Sequence, residues 1–405
     1  MRERHIFVVF SLCCIVLFAL VGCVRAKQAL SWGVERIRPY CLWDNDNWNM
    51  TDPWDVDSGA NAGQNMSIAV IDSGVDYYTD GQGQIHYHPD LAANIAGGMG
   101  FIDFQGTVQE TYNYKDEVED GHGTQIIGII SAVVNGTGAN ESGIIGAAPK
   151  TQIWALKAYG YQARAIAAAI NYSVDVLHVQ IIDLSMASDT PWPVVETACE
   201  YAYSQGALIF ASSGNYNTGV YYPALYANVS AVGSICENDS RASFSNYGPK
   251  LDFVTPGVGI PTTNVSQSYG NVTGTSFSTP FACAIAALIG TSKMDPDFDY
   301  NGDGRWDNNE VWAKMQNTTL DLGSPGNDSY TGWGLPNAWL ANQRPVGDIN
   351  LDNWTDGSDL IIAARAWGTV PGDLKWDPRA DINIDKRVDG GDMIIIARHY
   401  GQGDP

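Results

Sequence analysis

Three polar residues at the edges of apolar segments have the types needed for nucleophilic catalysis. Asp72 follows the apolar run 67–71, His122 lies between two glycines before one apolar stretch, and Ser276 opens another. A serine at the start of a helix can attack a carbonyl carbon while free backbone N–H groups face the developing negative charge. A histidine can take the serine proton, and a carboxylate can orient that histidine. The residue types therefore indicate acyl transfer.

Each of the three motifs also has a purely structural interpretation. Asp72-Ser73-Gly74 could be a turn, a histidine between glycines could be a loop residue, and Gly274-Thr275-Ser276 could be a helix cap. Their occurrence together, in the chain order Asp, His, Ser and each at the edge of an element, favours a catalytic triad.

Strand-like and helix-like segments alternate between about residues 67 and 290 and would position these side chains. The strand-like runs are apolar throughout, which is typical of strands buried on both faces of a parallel sheet. Asp72 would then lie at the carboxyl edge of that sheet, where open α/β sheets carry their sites. The sequence therefore predicts an α/β three-layer sandwich with a mostly parallel central sheet. The predicted strands are 67–71, 151–157, 180–184, 207–211 and 229–233, and the predicted helices are 122–134, 163–176, 194–205 and 276–289.

These motifs, together with Ala211-Ser212-Ser213-Gly214-Asn215, resemble those of subtilisin-like serine proteases, the subtilases. The resemblance covers about residues 28–342 and predicts a peptidase domain over 27–342. It implies that Ser276 is the nucleophile, His122 the base, Asp72 the orienting carboxylate and Asn215 the donor to the oxyanion. It further implies that substrate binds along Ser185, Met186, Ala187 and Gly214.

Four segments depart from the subtilase pattern, one of them Phe281-Ala282-Cys283-Ala284, which replaces the usual His-Val-Ala-Gly. Phe277-Ser278 follow the predicted nucleophile where members usually carry Met-Ala, and the loop 158–162 is shorter than the one that usually forms a wall of the cleft. Residues 27–66 are too few for the usual inhibitory propeptide domain. The sequence therefore does not indicate the preferred substrate side chains or what restrains the activity.

The composition is that of a folded, acidic protein. The chain has 405 residues, of which 45% are hydrophobic and 17% charged, and its length suggests two or three domains. It contains 45 acidic residues against 22 Lys and Arg, for a net charge of −23. Because nucleic acids and anionic lipid surfaces are bound by clustered basic residues, this balance argues against both as partners.

Residues 1–26 form a predicted export segment. The stretch 6–24 carries no charge and follows Arg2 and Arg4. It ends in Leu20-Val21-Gly22-Cys23, which resembles the lipobox of lipoprotein signals. A cleaved signal, a lipid on Cys23 and an uncleaved membrane anchor are all open, and each places the remaining chain in the extracellular space or at the cell surface.

Residues 299–310 fit the calcium-binding loop of an EF-hand, inserted in the predicted peptidase domain. Oxygen ligands fall at the required spacing, and Gly304 occupies the sixth position, where a sharp turn is needed. A solvated acidic loop is the alternative. The predicted Ca²⁺ ligands are Asp299, Asn301, Asp303, Arg305 (through its carbonyl), Asp307 and Glu310.

After a predicted linker at 343–346, residues 347–403 contain two similar segments that begin at Asp348 and Asp381. Each has the acidic spacing of a calcium loop and is followed by an apolar helix, although Asn353 and Lys386 replace the glycine at the sixth position. The pair resembles a dockerin, which implies a cohesin-like partner; a calcium-binding appendage without a partner is the alternative. The predicted ligands are Asp348, Asn350, Asp352, Asp356 and Asp359 in the first segment, and Asp381, Asn383, Asp385, Asp389 and Asp392 in the second.

The sequence thus predicts an exported serine endopeptidase with a calcium-dependent docking module. A protein of a different class, a surface assembly or adhesion subunit that uses the protease fold only as a scaffold, is the main alternative. Peptide ligation through the same acyl-enzyme is a third possibility.

Overall fold

The computed structural model describes residues 30–43, 60–117, 121–133, 143–158, 162–342, 346–350, 352, 354–383 and 385–403. The predicted export segment with Cys23, residues 343–345 of the linker and residues 159–161 of the short loop lie outside these ranges. Within the described ranges, no helix is long and apolar enough to cross a bilayer.

An eight-stranded sheet forms the centre of the described structure, in the strand order β10-β9-β8-β7-β1-β6-β4-β5. Every neighbouring pair is parallel except β4 and β5, which form an antiparallel hairpin at one edge. The strands are β1 (Ser67–Asp72), β4 (Ile95–Phe104), β5 (Thr107–Thr111), β6 (Gln152–Lys157), β7 (Ile181–Leu184), β8 (Leu208–Ser212), β9 (Ser230–Ile235) and β10 (Phe253–Pro256).

The central strands are buried on both faces, as their continuous apolar runs predict. All residues of β7, β8 and β9 are buried, as are the last five of β1. Helix α3 (His122–Ser131) packs against α6 (Thr279–Thr291), and α4 (Ala163–Asp175) packs against α5 (Pro193–Ser204). These two helix pairs cover the sheet, which confirms the predicted three-layer α/β fold.

The remaining elements surround this core. Two short helices, α1 (Trp32–Ile37) and α2 (Tyr40–Trp43), precede the sheet, and α7 (Asn308–Asn317) and α8 (Ala338–Asn342) follow α6. Helices α9 (Gly357–Arg365) and α10 (Gly390–His399) pack against each other near the C-terminus. Three further two-stranded pairs join β2 (Tyr77–Thr79) to β3 (Ile85–Tyr87), β11 (Ile260–Asn264) to β12 (Ser268–Val272), and β13 (Thr319–Leu320) to β14 (Leu335–Pro336).

Helix α6 runs through the hydrophobic core. Eleven of its side chains, from Thr279 to Ile289, are buried, and Pro280 lies in its first turn, where a missing N–H leaves no helical bond unmade. A 3₁₀ turn over Thr275–Phe277 precedes α6. Ser276 therefore lies just before the N-terminus of α6, beside the carboxyl ends of the central strands.

Candidate active site

Asp72 and His122 are joined at the carboxyl edge of the sheet. Asp72 ends β1 and is 5% exposed, and His122 is the first residue of α3. The Nδ1 atom of His122 lies 2.9 Å from Oδ1 and 3.0 Å from Oδ2 of Asp72. Because an ionised carboxylate can only accept, the hydrogen of the neutral imidazole lies on Nδ1, and Nε2 is left able to accept a proton.

A buried carboxylate fixes the start of α3. Asp116 Oδ2 accepts hydrogen bonds from the backbone N of Thr124 at 3.0 Å and from its Oγ1 at 2.8 Å. Gly121, which precedes the helix, has no side chain to cap it. Burial raises the pKa of Asp116, while its bonds to Thr124 lower it. Asp116 thereby orients the turn that carries His122, a role that no sequence motif signals.

Asn215 is hydrogen-bonded to Thr275, the residue that precedes Ser276. The side-chain Oδ1 of Asn215 accepts hydrogen bonds from the backbone N of Thr275 at 2.8 Å and from Thr275 Oγ1 at 2.9 Å. Since a backbone N–H can only donate, this contact fixes which end of the amide faces the turn. The Nδ2 donor of Asn215 consequently faces away from Thr275, and Asn215 itself is exposed.

The four predicted substrate-binding residues differ in their exposure and in their contacts. Ser185 is buried, and its Oγ donates to the backbone carbonyl of Ser276 at 2.8 Å, so its side chain supports the turn of the predicted nucleophile. Met186 and Ala187 follow β7 and are partly exposed beside it. Gly214 has φ +107°, its N donates to Thr275 Oγ1 at 3.2 Å, and a Cβ there would lie 2.3 Å from Nδ2 of Asn246.

Two neighbours of the site were not predicted from the sequence as functional. The ring of Phe277 lies 5.2 Å from the ring of His122, at an interplanar angle of 53°. Asp183, in β7 beside β1, is completely buried, and its Oδ2 accepts from Cys283 Sγ at 3.4 Å. Burial raises the pKa of Asp183 to about 7, with a further upward contribution from Asp72.

The three predicted calcium loops share one pattern of internal hydrogen bonds. In the inserted loop, the backbone N of Asp303 donates to Asp299 Oδ1 at 3.1 Å, and Glu310 accepts from the backbone N of Tyr300 and of Asp307. The segments that begin at Asp348 and Asp381 repeat these contacts at the same loop positions. Three separate stretches of chain therefore adopt the same loop conformation.

The last acidic residue of each loop also caps a helix. Asp307 and Glu310 form a reciprocal capping box at the start of α7, and the corresponding pairs do so in α9 and α10. Lys386 adopts φ +68°, close to the φ +72° of Gly304, so the second repeat makes the sixth-position turn without glycine. Asn353 lies outside the described residues.

The donor chemistry of these loops suits Ca²⁺, which takes carboxylate, amide and carbonyl oxygens. Glu310, Asp359 and Asp392 are each 0% exposed. In the described part of the chain, however, no three His, Cys, Asp or Glu side chains are grouped closely enough to hold a metal ion as they stand. Their carboxylates instead face backbone N–H groups of their own loops.

An α/β sheet with a histidine–carboxylate pair and a serine at its carboxyl edge is the arrangement of an α/β serine hydrolase. Residues 63–334 match the sequence profile of the Subtilase family, and the chain belongs to that family. It is 31% identical over 320 residues to Subtilisin BL of Lederbergia lenta, which covers 78% of this chain and 100% of that protein.

Other relatives agree with this assignment. The chain is 32% identical over 295 residues to thermitase of Thermoactinomyces vulgaris, covering 72% of this chain and 91% of thermitase. It is 34% identical over 299 residues to Minor extracellular protease Epr of Bacillus subtilis, covering 72% and 41% respectively. The fold, the family and these relatives make the chain a subtilisin-like serine endopeptidase.

Proposed function

We propose that this protein hydrolyses peptide bonds with Ser276 as nucleophile, His122 as general base and acid, and Asp72 as the residue that orients His122. The observation that carries the proposal is the hydrogen bond from His122 Nδ1 to Asp72, which places the ring hydrogen on Nδ1 and the lone pair on Nε2. Ser276 Oγ attacks the carbonyl carbon of the substrate, and its proton moves to Nε2 of His122.

The negative charge that develops on the carbonyl oxygen needs donors beside the nucleophile. We assign this role to Nδ2 of Asn215 and the backbone N–H of Ser276. Thr275 supports the assignment because it binds the opposite end of the Asn215 amide. Collapse of the tetrahedral intermediate breaks the C–N bond, and Nε2 returns the proton to the departing amine. Water then releases the acyl group from Ser276 by the same steps.

A fluorophosphonate probe tests the catalytic assignment. We expect the wild-type chain to label on Ser276 and to cleave peptides, whereas Ser276→Ala should lose both properties, with peptide turnover falling by several orders of magnitude. Ser278→Ala is a matched control, because it removes a hydroxyl two residues away in the same turn. Undiminished turnover in Ser276→Ala would refute the assignment. An unlabelled wild-type chain would favour the scaffold alternative.

We further propose that the inserted loop and the two repeats bind Ca²⁺ through the oxygens of their acidic residues. The bound ion would supply positive charge to clustered carboxylates, several of which are buried. The shared conformation of the three loops supports this proposal, and the resemblance to a dockerin suggests a cohesin-like domain as the partner of residues 347–403. The name of one relative, an extracellular protease, supports action outside the cell.

Binding of full-length Ser276→Ala protein to immobilised cohesin domains tests the docking proposal. We expect capture in millimolar calcium and loss of capture in EGTA, with restoration when calcium is added back. The double change Asp348→Ala and Asp381→Ala should abolish capture in calcium. Capture that persists in EGTA, or none in calcium across a varied cohesin panel, would leave residues 347–403 as an appendage without this partner.

A further inference from the structure

Arg38 makes a buried contact with the far end of the chain. Its Nη1 donates to the carbonyl oxygens of Pro378 and Asp381, each at 2.8 Å, and its Nη2 donates to Asp381 Oδ2 at 2.6 Å. The Arg38 side chain is 6% exposed and that of Asp381 is 0% exposed. A guanidinium that meets three oxygens in this way is held in both position and orientation.

The helix that presents Arg38 is attached to the peptidase core. In α1, Trp32 Nε1 donates to the carbonyl of Val258 at 3.0 Å, and Arg36 forms a two-pronged pair with Asp239 at 2.7 and 2.9 Å. Gly33 allows α1 to approach α6 closely, since a Cβ at this position would lie 2.6 Å from Cζ of Phe281. Residues 32–36 are therefore part of the surface of the core.

Arg38 ends α1 in a conformation that turns the chain out of the helix. Its φ and ψ are 54° and 42°, in the left-handed region, and its backbone N–H closes the helix onto the carbonyl of Val34. A non-glycine residue adopts this region at a cost, which surrounding contacts must offset. The three hydrogen bonds of the guanidinium are the contacts that the structure provides.

Arg38 contacts the loop of the second repeat, which has the same conformation as the loop of the first repeat. Asp381 Oδ1 accepts from Asp385 N, as Asp348 Oδ1 accepts from Asp352 N in the first repeat. Arg38 binds Asp381, so the loop of the second repeat is connected by hydrogen bonds to the end of α1. The buried apolar side chains of the C-terminal segment, among them Ile382 and Ile396, are continuous with the core of the peptidase domain.

We propose that residues 32–38 are a strap that docks the C-terminal module, residues 346–403, onto the peptidase core, with Arg38 inserted against the second loop. The module is then held in one orientation relative to the peptidase core. Any partner that binds the module is placed at a defined position relative to the active site. The strap is an interaction surface within one chain, and it shares Asp381 with the calcium loop proposed for the second repeat.

Arg38→Gln in the full-length Ser276→Ala chain tests the strap, since the second substitution prevents self-cleavage. The neutral amide leaves Asp381 buried without its cation, which strongly disfavours the docked state. Hydrogen exchange of the backbone at 376–383 and at 32–40 should become faster by about tenfold or more. The maximum dimension measured by small-angle X-ray scattering should increase.

Arg387→Gln is the matched control, because it removes the same charge from the same loop at an exposed side chain. It should leave both the exchange rates and the particle dimension unchanged. If Arg38→Gln fails to fold, Arg38→Lys keeps the charge but cannot reach all three oxygens, and it should speed exchange in the same two segments. Wild-type exchange in either Arg38 variant, or an equal effect of Arg387→Gln, would overturn the proposal.

Discussion

At the scale of single residues, the orientation of one amide determines what the site can stabilise. Asn215 turns its oxygen to Thr275, so its nitrogen faces away from Thr275, as the proposed contact with the oxyanion requires. Asn215→Asp keeps the accepting oxygen and replaces only the donor. We expect kcat to fall by about 10²–10³ or more, a magnitude known from removal of such a donor in a subtilisin, while KM changes little.

The comparison with Asn215→Ala separates the two roles of the side chain. Alanine removes the donor and also the acceptor of Thr275, so it should lower both kcat and the melting temperature. The aspartate variant should lower kcat with a smaller effect on melting. Peptide kinetics and calorimetry on the purified variants measure both quantities. An aspartate variant with wild-type kcat would show that Asn215 is not the donor.

Asp183 makes stability depend on pH. Its pKa is raised to about 7 by burial, above the value of about 3.9 for an unfolded chain. Between these values the unfolded state has released the proton that the folded state still holds, so stability falls as pH rises and levels off above about pH 7. Asp183→Asn cannot ionise. Its stability relative to wild type should therefore increase by about 2–3 kcal/mol between pH 5 and pH 8.

Denaturant unfolding in the Ser276→Ala background measures this difference. Only the change with pH is diagnostic, because the new amide alters packing equally at both pH values. Asp189→Asn, an exposed carboxylate five residues beyond β7 along the chain, is the control with the same charge change. A stability difference between Asp183→Asn and wild type that is constant from pH 5 to pH 8 would show that Asp183 is not protonated in the folded protein.

At the scale of elements, the turn after β8 depends on a glycine for two reasons. Gly214 has φ +107° and also lacks space for a Cβ. Gly206, after α5, has φ +93°, but a Cβ added there would meet no atom of the described residues within 4 Å beyond its chain neighbours. Gly206→Ala should cost about 1–2 kcal/mol of stability from backbone conformation alone. Gly214→Ala should cost more, because the methyl group meets Asn246, and it should also reduce kcat by displacing Asn215.

Thermal unfolding and peptide kinetics of the two glycine variants measure this contrast. Equal losses of stability, with kcat preserved in both, would mean that the turn absorbs the methyl group without moving the site.

The elements that carry the site are the ones a sequence predicts best. Strands such as β1 and β7 are continuous apolar runs, and their position beside polar motifs indicates the sheet edge. The antiparallel strand β5 was not predicted, because its five residues are largely exposed and polar and it is held by pairing with β4. Lys386 likewise shows that a left-handed turn can form without the glycine that sequence reasoning requires.

At the scale of the whole molecule, acidic charge is concentrated in the three predicted calcium loops, which lie within residues 299–392 and hold 12 of the 45 acidic residues. If the loop 299–310 binds calcium, Asp299→Ala should lower the melting temperature in calcium and hardly change it in EGTA. The reason is that an ion bound only by the folded state adds stability in proportion to RT ln(1 + [L]/Kd). Asp321→Ala, in a loop outside the three predicted sites, should show no such dependence on calcium. Equal shifts for Asp299→Ala in both buffers would exclude a site there.

Polar contacts between residues far apart in the chain could not be predicted from the sequence. The triad motifs could be grouped because their chemistry is recognisable, but nothing in the residues around Arg38 indicates an acceptor at Asp381. The environment of Asp183 could not be predicted either, because the sequence around an aspartate in an apolar strand does not indicate that its carboxyl group is completely buried beside Asp72. Such pairs are set by three-dimensional packing, and no local periodicity or spacing encodes them.

The bond between Arg38 and Asp381 spans 343 positions of the chain and has a consequence for biosynthesis. At about 5–20 residues per second, roughly 17–70 s separate the synthesis of the arginine from that of its acceptor. Throughout that interval the charge at the end of α1 has no native acceptor. The first helix of the described structure thus reaches its final surroundings only after Asp381 has been synthesised, so a product truncated before Asp381 would lack this closure.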